Sequence, residues 1–179
     1  GSEMCIRDRR EELSKRFVPA FMRQIQGIES ELEVFHALRS VKQENTPKGE
    51  PLVTAMQQIG SGGILASLWE LTEAANVGMQ IEMSRISIRQ ECVEVCEYYH
   101  LNPYQMTSAG TVLMVTRDGN ALVRCLEESG ARASVLGVTT ADHAKVITSG
   151  DEVRYLDRPA PDELMRWWEE QAQKEVRSE

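Results

Sequence analysis

The run Gly60-Ser61-Gly62-Gly63 is the feature that most limits how this chain can fold. It sits between a short apolar stretch at 52–57, a strand candidate, and a helical pattern that begins at once. In that pattern Ile64, Leu65, Leu68, Trp69, Thr72 and Ala75 share one face, and Asn76 and Gly78 supply a stop. Glycines between a strand and a helix permit a sharp turn. They also let backbone N–H groups at a helix N-terminus approach an anion closely. Ser61 adds a hydroxyl that could donate to a ligand or cap the helix. No Lys-Ser/Thr pair follows, so the run is not a P-loop, and it is not a GxGxxG fingerprint. Two readings stay open: a tight turn before a packed helix, or a phosphate-facing turn.

The rest of the chain alternates helix and strand. Phe17, Phe21, Ile25, Ile28, Leu32 and Phe35 paint one stripe on a helix. Pro19 belongs in a first turn, so that helix is expected to start near Val18 and run to about residue 42. Residues 43–51, with two prolines and a glycine, read as a linker. Val77, Met79, Ile81 and Met83 alternate with polar or small residues and predict a half-buried strand. A helix is expected from Ile88 to Tyr99, with Ile88, Cys92, Val95, Cys96 and Tyr99 inward. Asn102-Pro103 ends it. Residues 111–116 form a continuous apolar run, expected as a central strand covered on both faces. A helix carrying Ala121, Leu122, Cys125 and Leu126 follows, then a strand at 132–139. Residues 144–156 read as a hairpin turning at Ser149-Gly150-Asp151. Pro159 and Pro161 introduce a last helix with Asp162 and Glu163 in its first turn and Leu164, Trp167, Trp168 and Gln171 inward. The expected class is α+β: a mixed β-sheet flanked by helices, around one sheet, preceded by a long helical segment.

Length and charge narrow the function. The 179 residues suit one domain with an added element. The organisation expected is an unreliable N-terminus at 1–10, a helical lead-in and linker at 11–51, a compact domain at 52–157, and a terminal helix at 158–179. Gly1-Ser2 reads as a tag-removal scar, and MCIRDR resembles translated adapter sequence, so Cys5 is given no role. A net charge of -8 opposes nucleic-acid binding, and no apolar run is long enough to span a membrane. Four cysteines with no CxxC pair and no apolar leader point to a reducing cytoplasm.

Chemistry-bearing residues are otherwise sparse. Cys92 and Cys96 are neighbours on a helix and could be half a metal site, but no partners stand at ligand spacing, so they read as core, as does Cys125. His36, His100 and His143 are scattered, and none pairs with a recognisable nucleophile motif. Glu29, Glu31, Glu33, Glu169 and Glu170 read as solvated faces. Of Trp167 and Trp168, one reads as core and the other as partly exposed, suited to a partner or subunit contact.

Three stretches carry a resemblance. TAMQQIGSGGILASLWELTEAANVGMQIEM, IRQECVEVCEYYHLNPYQMTSAGTVLMVTRDG and VLGVTT together resemble the C-terminal domain of the AIR synthase-related superfamily, most nearly its hydrogenase-maturation-factor-like members. The resemblance spans about residues 50–157. It implies ATP and Mg²⁺ as cofactors, and an N-terminal nucleotide-binding domain, missing here, as partner and dimer builder. A homo-oligomer is implied too. The family loop usually reads His-Asp-x-Thr-Glu-Gly-Gly. Here Gln57-Gln58-Ile59-Gly60-Ser61-Gly62-Gly63 keeps the glycines and loses the carboxylates. The resemblance therefore implies phosphate or nucleotide binding at Gly60, Ser61, Gly62 and Gly63, with Ser108 and Gly110 lining the same groove. It leaves the catalytic residues unknown and implies no metal ligand in this chain, which is expected to be catalytically incomplete alone. The last residues, Val176-Arg177-Ser178-Glu179, lack the terminal cysteine of the maturation factor. The alternative expected is a non-catalytic dimerisation or assembly module that uses the long amphipathic helix.

Overall fold

A computed structural model describes residues 9–27, 34–41, 44–108 and 110–178. Among the described residues three helices lead in: α1 (Arg10–Arg16), α2 (Pro19–Gly27) and α3 (Val34–Val41). Pro19 sits at the start of α2, where its missing N–H costs nothing. Ile28 and Leu32 lie outside the described residues, as does Cys5, and nothing is described of the Phe35 and His36 side chains. Leu13, Met22 and Ile25 are buried with Val95, beside Phe17, Phe21, Tyr98 and Tyr99. Ala37 and Val41 instead join Leu52, Leu122 and Leu126. The lead-in thus covers two different parts of the domain.

The domain runs β1 (Val53–Gln58), α4 (Gly63–Ala75), β2 (Gly78–Glu82), α5 (Gln90–Tyr99), β3 (Val112–Thr116), α6 (Gly119–Glu128), β4 (Gly137–Thr140), β5 (Lys145–Ser149), β6 (Glu152–Tyr155) and α7 (Glu163–Ser178). Short 3-10 turns at Met83–Arg85 and Pro103–Gln105 join some of them. The strands make two sheets, where the sequence pattern led to one. Among the described residues β1 pairs antiparallel with β3 alone. The other sheet has the order β4-β2-β5-β6, with β2 parallel to β5 and the remaining pairs antiparallel. β3 is therefore not a central strand. Its two faces are covered by side-chain clusters, Leu113 meeting Ile59 and Met79 while Met114 meets the α3–α6 cluster. An apolar run reports burial on both faces but says nothing of how many strands flank it.

Several expectations shift by a few residues. The strand expected at 132–139 is β4 at Gly137–Thr140. The helix expected from Ile88 starts at Gln90. On α4 the buried face includes Ala66 and Ser67, and Ala75 is exposed. The hairpin turns where expected, between β5 and β6.

The central cluster is Ile59, Leu68, Met79, Ile81, Ile86 and Leu113. A second joins Leu164 and Trp167 of α7 to Cys96, Leu101 and Met106. Burying side chains of that size stabilises by about 2–3 kcal/mol each, which docks α7 firmly on α5. Lys145, on the buried face of β5, pairs with Glu73 and sits 5.7 Å over the Trp69 ring, so its charge is met. Among the described residues no helix is long and apolar enough to cross a membrane.

Candidate functional site

β1 delivers the chain to the glycine turn. Past Gln58, the Ile59 N–H donates to the Thr111 carbonyl at 3.0 Å, which lays the loop before β3 against the turn. Gly63 N–H then donates to the Gly60 carbonyl at 3.1 Å. Gly62 (φ 80) and Gly63 (φ 70) both take the left-handed conformation. A Cβ on Gly63 would lie 2.5 Å from the Tyr104 carbonyl oxygen and 2.6 Å from the Met106 nitrogen. Only glycine fits, because two backbone segments touch there.

The N-cap of α4 is Gly62 itself, so Ser61 does not cap the helix and lies exposed. The acceptor comes from 100 residues away. Asp162 Oδ2 accepts from Gly62 N–H at 2.8 Å. The same oxygen accepts from Thr107 N–H at 2.8 Å. Asp162 Oδ1 accepts from Leu164 N–H at 3.0 Å and Met165 N–H at 3.3 Å, capping α7. The carboxylate is only 4 % exposed. One buried anion is thus held by backbone N–H groups from the glycine turn, the 104–111 loop and the start of α7.

The expected site residues are therefore only partly gathered. Gly62 and Gly63 are buried in the turn, while Gly60 and Ser61 are exposed. Ser108 follows Thr107 and shares a hydrogen bond with the Thr111 hydroxyl at 2.8 Å. Gly110 (φ 73) turns the chain into β3. Gln57, at the family's histidine position, donates its side-chain amide to Glu70 Oε2 at 3.1 Å. Sequence reasoning missed Thr107 and the remote role of Asp162. Asp after Pro159-Ala160-Pro161 does signal a helix cap, but not a partner so distant.

Other candidates stay apart. Among the described residues Cys92, Cys96 and Cys125 form no disulfide, and Cys96 lies 3.7 Å from the Met106 sulfur in the core. Burial, then the charges of Glu44 and Glu128, pushes the Cys125 thiol up, away from thiolate chemistry. His100 (φ 56) ends α5 in a left-handed C-cap, and His143 is exposed. Among the described residues no three His, Cys, Asp or Glu side chains gather as metal ligands, so these residues do not by themselves fit Mg²⁺. A groove of about 430 Å³ opens between α1, the end of α5 and α7, lined by Tyr99 and Trp167. Within it Arg9 pairs with Glu12 and Arg166 with Glu170. Trp168 packs edge-on against Trp167, ring centroids 5.3 Å apart.

Residues 8–149 match the family described as AIR synthase related protein, C-terminal domain. A hydrogenase expression/formation protein of Methanocaldococcus jannaschii is 30% identical over 120 residues, covering 64% of this chain and 36% of that protein. The carbamoyl dehydratase HypE of Rhodobacter capsulatus is 26% identical over 123 residues, covering 65% of this chain and 36% of its own length. The crystal structure of E. coli HypE, a hydrogenase maturation protein, superposes with a TM-score of 0.60 at 21% identity, covering 75% of this chain and 41% of that one. HypE in complex with ATP gives 0.56 at 14% identity, covering 62% and 37%. These structures show the shared α+β fold. The chain spans little more than a third of the two relatives' length, at 36% of each. A match over residues 8–149, most of the chain, leads to one conclusion: the chain belongs to the AIR synthase related protein C-terminal domain family, and it is similar to hydrogenase maturation proteins of the HypE type.

Proposed function

We propose that this chain is the C-terminal, phosphate-facing part of an ATP-using protein of the hydrogenase-maturation type, working in the cytoplasm and catalytically incomplete alone. One observation carries the reading: the Gly62 and Thr107 N–H groups already converge on an oxyanion, the Asp162 carboxylate. A turn that meets one oxyanion through backbone N–H groups has the chemistry to meet another, a phosphate. The relative solved with ATP supports a nucleotide as the source of that phosphate. Gly60 and Ser61, exposed beside the turn, and Ser108 and Gly110 across from it would border the ligand. Mg²⁺ and most of the nucleotide would be met by an N-terminal domain, since the described residues assemble no ligand set. The HypE–HypF complex among the structural relatives supports a second protein as a further partner.

The assembly reading has less behind it. Leu13, Met22, Ile25, Ala37 and Val41 are buried within the chain, so the described part of the lead-in spends its apolar face internally.

The test is a titration of the ¹⁵N-labelled chain with Mg-ATP, followed by amide shifts. Saturable shifts at Gly60, Gly62, Gly63 and Ser108, with millimolar affinity, are expected. No shift at any of them at the highest nucleotide concentration overturns the reading.

A further inference from the structure

Asp162 does more than cap its own helix. Its carboxylate stands where an incoming oxyanion would have to stand, because Oδ2 takes both the Gly62 and the Thr107 N–H at 2.8 Å. The segment leading to it crosses the turn closely: the Ala160 carbonyl oxygen is 3.6 Å from where a Gly62 Cβ would be. The same carboxylate starts α7 through Leu164 and Met165 N–H. Breaking the contact with the turn therefore removes one anchor of α7, leaving Leu164 and Trp167 on the α5 cluster as the other. The family match ends at residue 149, so Asp162 and α7 lie beyond the matched span while the turn they close lies within it.

We propose that α7 is a strap that holds the glycine turn shut. Asp162 is its built-in oxyanion, and a phosphate-bearing ligand reaches the Gly62 and Thr107 amides only by displacing it. This rests on the turn being a phosphate site, and adds to that reading a gate that competes with the ligand. Competition has two consequences. The open fraction sets the apparent affinity, so a chain that is mostly strapped binds phosphate weakly. By reciprocity, phosphate that binds must loosen the start of α7.

The experiment uses the full chain, with inorganic phosphate as the probe and chloride at matched ionic strength as control. Amide shifts report binding at Gly62 and Thr107, and hydrogen exchange reports the strap at 164–168. In the unsubstituted chain, phosphate should speed exchange at 164–168 as it shifts Gly62. In Asp162→Ala, exchange at 164–168 should rise without ligand, and phosphate should bind at least about tenfold more tightly. Should that variant fail to fold, the unsubstituted chain still decides by its exchange response. Phosphate shifts at Gly62 with unchanged exchange, or equal affinity in both proteins, overturn the strap and leave the phosphate site standing. No phosphate shift in either protein, the variant being folded, overturns the phosphate site and the gate with it.

Discussion

Two helix N-termini in this molecule are finished in opposite ways. α6 is capped by its own sequence: Asp118 Oδ1 accepts from Ala121 N–H at 2.9 Å, and Asp118 N–H donates to the Thr116 hydroxyl at 3.1 Å. α4 has no capping side chain of its own, and its Gly62 N–H waits for a carboxylate 100 residues on. A local cap stabilises one helix. A remote cap ties three segments into one unit, so its loss is felt by all of them. The cost of breaking each N-terminus should differ accordingly.

The largest difference should come from the glycines. In Gly63→Ala the new Cβ meets Tyr104 and Met106 backbone atoms at 2.5 to 2.8 Å, in a left-handed conformation. We expect a loss of about 4 kcal/mol by urea denaturation, combining backbone strain with overpacking against atoms that cannot move aside. Gly119, the first residue of α6, would meet chiefly the Val135 side chain, its nearest atom at 2.8 Å. That methyl can shift and the helix favours alanine, so Gly119→Ala should be near neutral. A comparable loss at both positions would erase the distinction.

The carboxylates should follow. Asp162→Ala removes the acceptor of four N–H groups and should cost about 3 kcal/mol, because the Gly62 and Thr107 amides are left facing no partner. Asp162→Asn should recover only part of this, since its NH₂ must face amides that also donate. Asp118→Ala loses one exposed local bond and should cost about 1 kcal/mol. Thermal or urea unfolding of the three variants decides it; equal effects at 118 and 162 would mean that the remote contacts add nothing.

Legibility in sequence follows the same divide between local and remote. The strand–turn–helix at 53–75, the Asn76 stop and the hairpin at 145–155 are written in neighbouring residues, and the structure has them within a residue or so. The pairing of β1 with β3, which splits the strands into two sheets, joins residues such as Gln57 and Leu113. No short-range pattern encodes that choice. At the turn, Gly62 and Gly63 were legible because their conformation needs glycine. Thr107 was not, because it contributes only its backbone N–H, which any residue but proline offers. Asp162 was expected inside the first turn and stands one residue before it, as the cap of α7, while its second role depended on where α7 comes to rest.

A last effect should run the other way, at a buried polar group with no hydrogen-bond partner among the described residues. The Tyr99 hydroxyl is buried and makes no hydrogen bond among the described residues, while its neighbour Tyr98 donates to Glu12 at 3.3 Å. Where Asp162 is fully met, Tyr99 is a cost. Tyr99→Phe keeps the ring against Trp167, centroids 5.3 Å apart, and should gain about 1 kcal/mol at neutral pH. Burial foremost, then the charge of Glu12, whose carboxylate comes near the hydroxyl without the geometry of a hydrogen bond, holds the phenol well above its ordinary value, with Tyr98 adding and Arg9 opposing. The folded protein therefore keeps this proton when the unfolded chain gives it up. The associated stability is present below about pH 10 and is lost as pH rises beyond it, toward the raised folded value. Phenylalanine has no proton to lose. The stability difference between Tyr99→Phe and the unsubstituted chain should thus be flat to about pH 10 and widen above it. A difference that stays constant through the alkaline range would mean that the hydroxyl is solvated after all.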